Sequence, residues 1–255
     1  MPKFSANLTM LFTEHAFLDR FAAAARAGFS AVEYVSPYEH PPEKIAALLA
    51  ANNLTQALFN LPAGDWAKGE RGIACLPDRV DEFRRSVETA IVYARALNCK
   101  TVNCLAGIHP KGARPFKTLA NNLAYASQAL KAEGILLVTE PINHFDMPGY
   151  FLNTSRDGLD AIDAAETDNL KLQFDIYHMQ RMQGRLAETM ERLLPRIGHV
   201  QIADTPGRHE PGTGEINYGF LLRLLDRIGY DGYVGCEYHP LAGTVEGLGW
   251  MKEFR

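Results

Sequence analysis

Short runs rich in β-branched and aromatic residues alternate with longer runs of helical periodicity from one end of the chain to the other. This alternation limits the fold more than any other feature of the sequence. The strand candidates are 4–9, 31–36, 55–60, 100–105, 135–140, 170–175, 199–203 and 232–237, eight in all. Between them lie helix candidates near 14–27, 42–52, 80–97, 116–132, 155–165, 179–194 and 217–228, and the stretch 241–255 can supply a short eighth helix. Several have recognisable starts, namely Pro42, Pro115 and the Thr154-x-x-Asp157 box. Strands regularly separated by helices build a parallel sheet, because antiparallel neighbours would be joined by short turns. Eight such units favour closure into a barrel over an open doubly wound sheet. No G-x-G-x-x-G or G-x-x-x-x-G-K-[ST] follows the first strand, so a dinucleotide or P-loop fold lacks its signature. The expected architecture is α/β, with residues 1–255 forming a single (β/α)8 TIM barrel.

Composition agrees with this. The chain is 47% hydrophobic and 22% charged, which excludes disordered, collagenous and coiled-coil classes. At 255 residues it can hide roughly three quarters of its unfolded surface, so folding requires neither a disulfide nor a structural metal. Its 26 basic and 30 acidic residues give a net charge of −4 with no basic run, which argues against a nucleic-acid partner. The apolar run 134–138 is far too short to span a membrane. Polar Thr9, Thr13 and Glu14 interrupt any signal-peptide core, and Cys75, Cys99, Cys104 and Cys236 show no C-x-x-C spacing. These features lead us to expect a cytoplasmic protein with buried, reduced thiols.

In parallel barrels, chemistry gathers at the carboxyl ends of the strands, so the informative residues are polar groups that end apolar runs. Four consecutive strands provide them. Glu140 ends the fifth, Asp175 ends the sixth, Gln201 lies in the seventh and Glu237 ends the eighth, at intervals of 35, 26 and 36 residues. Each interval is about one strand-plus-helix repeat of roughly 30 residues, which brings all four to one rim. Three carboxylates and an amide oxygen meeting there would repel one another unless a cation sits among them, and oxygen donors suit Mg²⁺ or Mn²⁺. For any one of these acids alone, an ion pair or a solvent-facing strand end is the competing explanation.

Other polar residues lie near this rim. His178, just past Asp175, can hydrogen-bond a substrate oxygen, although an isolated histidine is more often structural. Arg208, in the loop after the seventh strand, can grip a carboxylate through both arms of its guanidinium, or can simply face solvent. Asn60 and Asn103 end the third and fourth strands, where they can meet substrate hydroxyls or fix loops. Trp66 can wall the site or pack on the scaffold. Among the remaining histidines, His144 stands closest to Glu140, and none shows paired-ligand spacing. The Pro211-Gly212-Thr213-Gly214 stretch reads as a flexible loop, with a phosphate-binding turn as the alternative.

Several longer motifs resemble the hydroxypyruvate isomerase family of xylose-isomerase-like barrels. They are Asn60-Leu61-Pro62-Ala63-Gly64-Asp65-Trp66, Glu140-Pro141-Ile142-Asn143-His144-Phe145, Asp175-Ile176-Tyr177-His178-Met179-Gln180 and Glu210-Pro211-Gly212-Thr213-Gly214-Glu215-Ile216-Asn217-Tyr218. Gly235-Cys236-Glu237-Tyr238 and Gly247-Leu248-Gly249-Trp250 extend the resemblance to the end of the chain. It implies interconversion of hydroxypyruvate and tartronate semialdehyde, within glyoxylate metabolism, on a small anionic keto acid. It also implies catalytic roles for Glu140 and Glu237, a divalent metal held by Glu140, Asp175, Gln201 and Glu237, and substrate contacts from His178 and Arg208. Related sugar epimerases usually carry histidine where Gln201 stands, whereas this chain keeps Val-Gln-Ile-Ala; an amide oxygen leaves the metal's identity open.

In that chemistry one glutamate removes the C3 proton and the other protonates C2 of the enediol, in an order the sequence does not assign. The same proton transfer would serve 2-oxo-tetronate isomerisation or ketose epimerisation. Metal-dependent DNA phosphodiester cleavage would call for more histidine ligands and a basic face. A non-catalytic sugar-acid binding protein would not need two proton-shuttling carboxylates. Barrels of this kind often pair, so a homo-oligomer is open, but no stripe in the sequence marks an interface.

Overall fold

A computed structural model describes residues 2–109 and 115–254. Its strands are β1 (Lys3–Asn7), β2 (Ala31–Tyr34), β3 (Thr55–Asn60), β4 (Thr101–Cys104), β5 (Leu136–Thr139), β6 (Leu170–Asp175), β7 (Ile197–Ile202) and β8 (Tyr233–Cys236). All pair in parallel with their sequence neighbours, and β8 returns to β1 to close the barrel. Every strand overlaps its predicted run, with ends moved by no more than two residues.

The helices are α1 (Arg20–Arg26), α2 (Pro42–Ala51), α3 (Val80–Ala96), α4 (Phe116–Lys131), α5 (Ser155–Ala164), α6 (Ile176–Met182), α7 (Leu186–Leu193) and α8 (Tyr218–Arg227). The longer ones form the outer layer by burying one stripe each. In α3 the stripe is Phe83, Val87, Ala90 and Ala94, spaced for one helical face. At the start of α5 the predicted capping box is formed: Thr154 accepts from the Asp157 backbone N–H, and Asp157 returns a bond to the Thr154 N–H. The final stretch forms a 3₁₀ segment, Glu246–Phe254, with Trp250 edge-on to Phe4 of β1 at 5.2 Å.

Two helical expectations differ from the structure. The helix placed at 14–27 begins only at Arg20, because the preceding residues turn to bury Leu11 and Phe12, and Arg20 donates to the carbonyls of Leu8 and His15. The run at 179–194 is two helices. Asp175 caps α6 three residues earlier than expected, and Gly184 and Arg185, at φ +63° and +48°, reverse the chain before α7.

Inside the barrel the packing is polar as well as apolar. Ser5 and Asn7, two apart on β1, both point at Glu33 in the middle of β2. Glu33 is fully buried and also accepts from Gln201 on β7 at 2.7 Å, with His199 Nε2 at 2.9 Å. Gly235 on β8 leaves room for it; a Cβ there would sit 2.3 Å from Glu33 Oε1. All four cysteines are buried, and among the described residues none is in a disulfide. Among the described residues, no helix is long and apolar enough to cross a membrane.

Candidate active site

The strand ends deliver what the parallel closure requires of them. Glu140 directly follows β5, Asp175 is the last residue of β6, and Glu237 directly follows β8. Register brings Asp175 beside Gln201, and Gln201 beside Gly235. One ligand atom each from Glu140, Asp175, His178 and Glu237 lies within 4.8 Å of the others, and all four residues are buried. The cluster sits at the carboxyl-terminal mouth, where chemistry in such barrels is built.

Each member is held by named neighbours. Asn103 donates to Glu140 Oε2 at 3.3 Å and to Asn60 Oδ1 at 3.2 Å, so Asn60 meets the cluster through Asn103. Asn7 donates to Glu237 Oε1 at 3.0 Å. Asp175 Oδ1 accepts from the backbone N–H groups of Tyr177 and His178, at 2.7 and 3.2 Å. The short helix α6 thereby fixes the carboxylate and places His178 above it. Arg208, with φ +56° in its loop, lies over the Tyr177 ring and donates to Glu237 Oε2 at 2.6 Å, 3.8 Å from Asp175 Oδ2.

The charge balance is unfavourable to the acids. Burial, reinforced by Glu237 and Asp175, pushes the Glu140 carboxyl well above the usual range. Burial likewise raises Asp175, against the pull of Arg208. Glu237 is pushed up to about 8, by burial first, with Arg208 opposing and Asp175 and Glu33 assisting. For Arg208 burial works against the charge, but Glu237, Asp175 and Glu140 outweigh it and keep the guanidinium protonated. His178 is driven well below its ordinary value by burial, then by Arg208 and Arg181. Glu140 Oε1 and Asp175 Oδ2 are buried with no hydrogen-bond partner. Clustered, desolvated carboxylate oxygens with free lone pairs fit a hard divalent cation, which supplies the missing charge.

The other sequence candidates have different surroundings. Gln201 accepts from Gln173 at 2.6 Å and donates to Glu33, so its amide joins the polar network of the barrel interior beside the cluster. Trp66 is exposed, with Arg71 across its ring at 3.9 Å, and His144 is exposed and packs on Phe145. The glycine-rich turn wraps an acid: Asp204 accepts from the amides of Gly212 and Ile216, which removes these donors from any phosphate.

The sequence reading missed Asn7, Glu33, Gln173, Asn143 and Asp146, and set His199 aside. The signal for the first two was present, as polar residues at period two on β1 and a lone acid within the apolar run of β2.

The sequence matches the xylose isomerase-like TIM barrel family over residues 21–254. The chain belongs to that family. It is 53% identical over 258 residues to the hydroxypyruvate isomerase of Escherichia coli (strain K12), covering all of both chains. It is 50% identical to a 2-oxo-tetronate isomerase of Cupriavidus necator, over 100% of this chain and 99% of that one. Among solved structures, a Brucella melitensis protein described as AP endonuclease, family 2, superposes with a TM-score of 0.97 at 43% identity, with full coverage of both chains. An L-ribulose 3-epimerase at 23% identity, with a TM-score of 0.77 over 99% of this chain and 86% of that one, shares the xylose isomerase-like fold.

Proposed function

We propose that this protein is an isomerase of short hydroxy-keto acids that interconverts hydroxypyruvate and tartronate semialdehyde. The observation that carries the proposal is the pairing of Glu140 and Glu237 across one buried cluster, backed by full-length likeness to a hydroxypyruvate isomerase. Glu140, Asp175 and Glu237 would hold a Mg²⁺ or Mn²⁺ ion, with Gln201 offering the second lone pair of its amide oxygen. That ion would neutralise the carboxylates and polarise the two oxygens between which the carbonyl moves.

The residues of the chain carry the protons. Moving the carbonyl from C2 to C3 takes a proton from C3, returns one to C2, and passes the hydroxyl proton from O3 to O2. The bond from Arg208 favours an ionised Glu237, the form that accepts the C3 proton. Glu140 has an unpartnered Oε1 and lies beside two other acids, so it is the better holder of the proton that C2 receives. Arg208 can share its guanidinium with the substrate carboxylate, and its unpartnered Nε marks donor capacity still to be used.

The 50% identical 2-oxo-tetronate isomerase supports a second reading, since one more carbon calls for the same proton transfer. The test is a comparison of kcat/KM for hydroxypyruvate, 2-oxo-tetronate and ketoses with Mg²⁺ or Mn²⁺ supplied. The proposal expects hydroxypyruvate to lead. A preference for 2-oxo-tetronate would move the substrate by one carbon, and no turnover of any would reject the isomerase reading.

A further inference from the structure

We infer that His178 faces the substrate as a neutral imidazole with its proton on Nε2, and that Asn143 is the positioning residue that sets this tautomer. Asn143 lies in the loop after β5, three residues beyond Glu140, and its side chain is fully buried. Two contacts that do not involve His178 fix which end of its amide is which. Its Oδ1 accepts from the Asp146 backbone N–H at 2.9 Å, and its Nδ2 donates to Asp146 Oδ2 at 3.0 Å. The amide is thus turned with its N–H₂ toward His178 Nδ1, 2.7 Å away. The backbone N–H of Asn143 points at the same ring nitrogen from 3.5 Å. A proton on Nδ1 would set donor against donor, so Nδ1 must accept, and in the neutral ring the proton belongs to Nε2.

Asp146 is itself braced, accepting from Tyr177 Oη at 2.7 Å and from Arg181. The chain of contacts therefore runs from α6 through Asp146 and Asn143 back to the first turn of α6. At its far end, Nε2 lies 3.9 Å from Glu140 Oε1 and 3.7 Å from Asp175 Oδ2, too far to bond either. That N–H is left to donate to a substrate oxygen between the carboxylates, where an enediol gathers charge; this last step rests on the proposed isomerase reading. An Nε2 that carries a proton has no lone pair for a metal, so His178 stands outside the cation's shell despite lying within the cluster.

The test is nitrogen NMR of protein labelled with ¹⁵N-histidine, with His178 assigned by comparison with His178→Gln. At neutral pH, Nδ1 is expected to be pyridine-like and Nε2 pyrrole-like, before and after addition of Mg²⁺. A proton on Nδ1, a doubly protonated ring, or an Nε2 signal that reports coordination would overturn the assignment. Asn143→Asp turns the donor into an acceptor and should move the proton to Nδ1, lowering kcat about 10- to 100-fold with KM changed less than about threefold. Should that variant fold poorly, Asn143→Ala should give mixed tautomers; a wild-type spectrum and wild-type kcat there would remove Asn143 from the role. The expected tautomer in a protein that turns over none of the keto acids would support the assignment and reject the isomerase reading.

Discussion

At the scale of single residues, the acids that end strands were readable from sequence, because a strand end is visible as a polar residue stopping an apolar run. Glu140, Asp175 and Glu237 all meet as that reading required. Glu33 was visible as a lone acid in an apolar run, but its place in the interior was not readable, since its four partner side chains on β1 and β7 are brought to it only by barrel closure. Asn143 was equally hidden, because its meaning depends on the direction of an amide. Glu140→Gln and Glu237→Gln should both abolish turnover while leaving the circular dichroism spectrum intact; near-normal activity in either would remove that residue from the chemistry. If Glu237 is the base, Glu140→Gln should still exchange the C3 hydrogen of hydroxypyruvate with solvent, whereas Glu237→Gln should not. Glu237 also predicts a pH trend. Its carboxyl rises from an ordinary 4.5 to about 8 on folding, so the folded metal-free protein binds more protons than the unfolded chain between those values. Its contribution to stability is complete below 4.5 and lost as the pH climbs through 8. Urea midpoints of the metal-free protein should therefore fall over that window, and Glu237→Gln should flatten the slope.

At the scale of elements, all eight strands and the capped start of α5 were legible because each rests on local pattern: apolar runs, turn residues, a threonine three before an aspartate. The split between α6 and α7 was not, since the continuous apolar stripe conceals the reversal at Gly184 and Arg185. Thr154→Ala should cost about 1 kcal/mol by removing one half of the capping box, measured by chemical denaturation. Gly235→Ala tests closure at the polar centre of the barrel. Its new methyl would meet the Glu33 carboxylate at 2.3 Å, displacing bonds that tie β1, β2 and β7 together. A loss of about 1–3 kcal/mol is expected, and an unchanged unfolding midpoint would mean the interior has slack that the structure does not suggest.

For the whole molecule, closure brings residues about a hundred positions apart, Glu140 and Glu237, into one desolvated cluster that no short segment could build. With the proposed metal site, chelation should abolish activity and lower the melting temperature near neutral pH, with both restored by Mg²⁺ or Mn²⁺, because a cation held there would relieve repulsion that folding imposes. The central claim is that two different glutamates handle the departing and arriving protons, and a solvent-isotope experiment tests it most directly. Hydroxypyruvate turned over in D₂O with metal present should give tartronate semialdehyde carrying deuterium at C2 at the earliest time points, with no product from Glu140→Gln or Glu237→Gln. Product that retains the C3 hydrogen at C2, or forms at the wild-type rate in either variant, would contradict it.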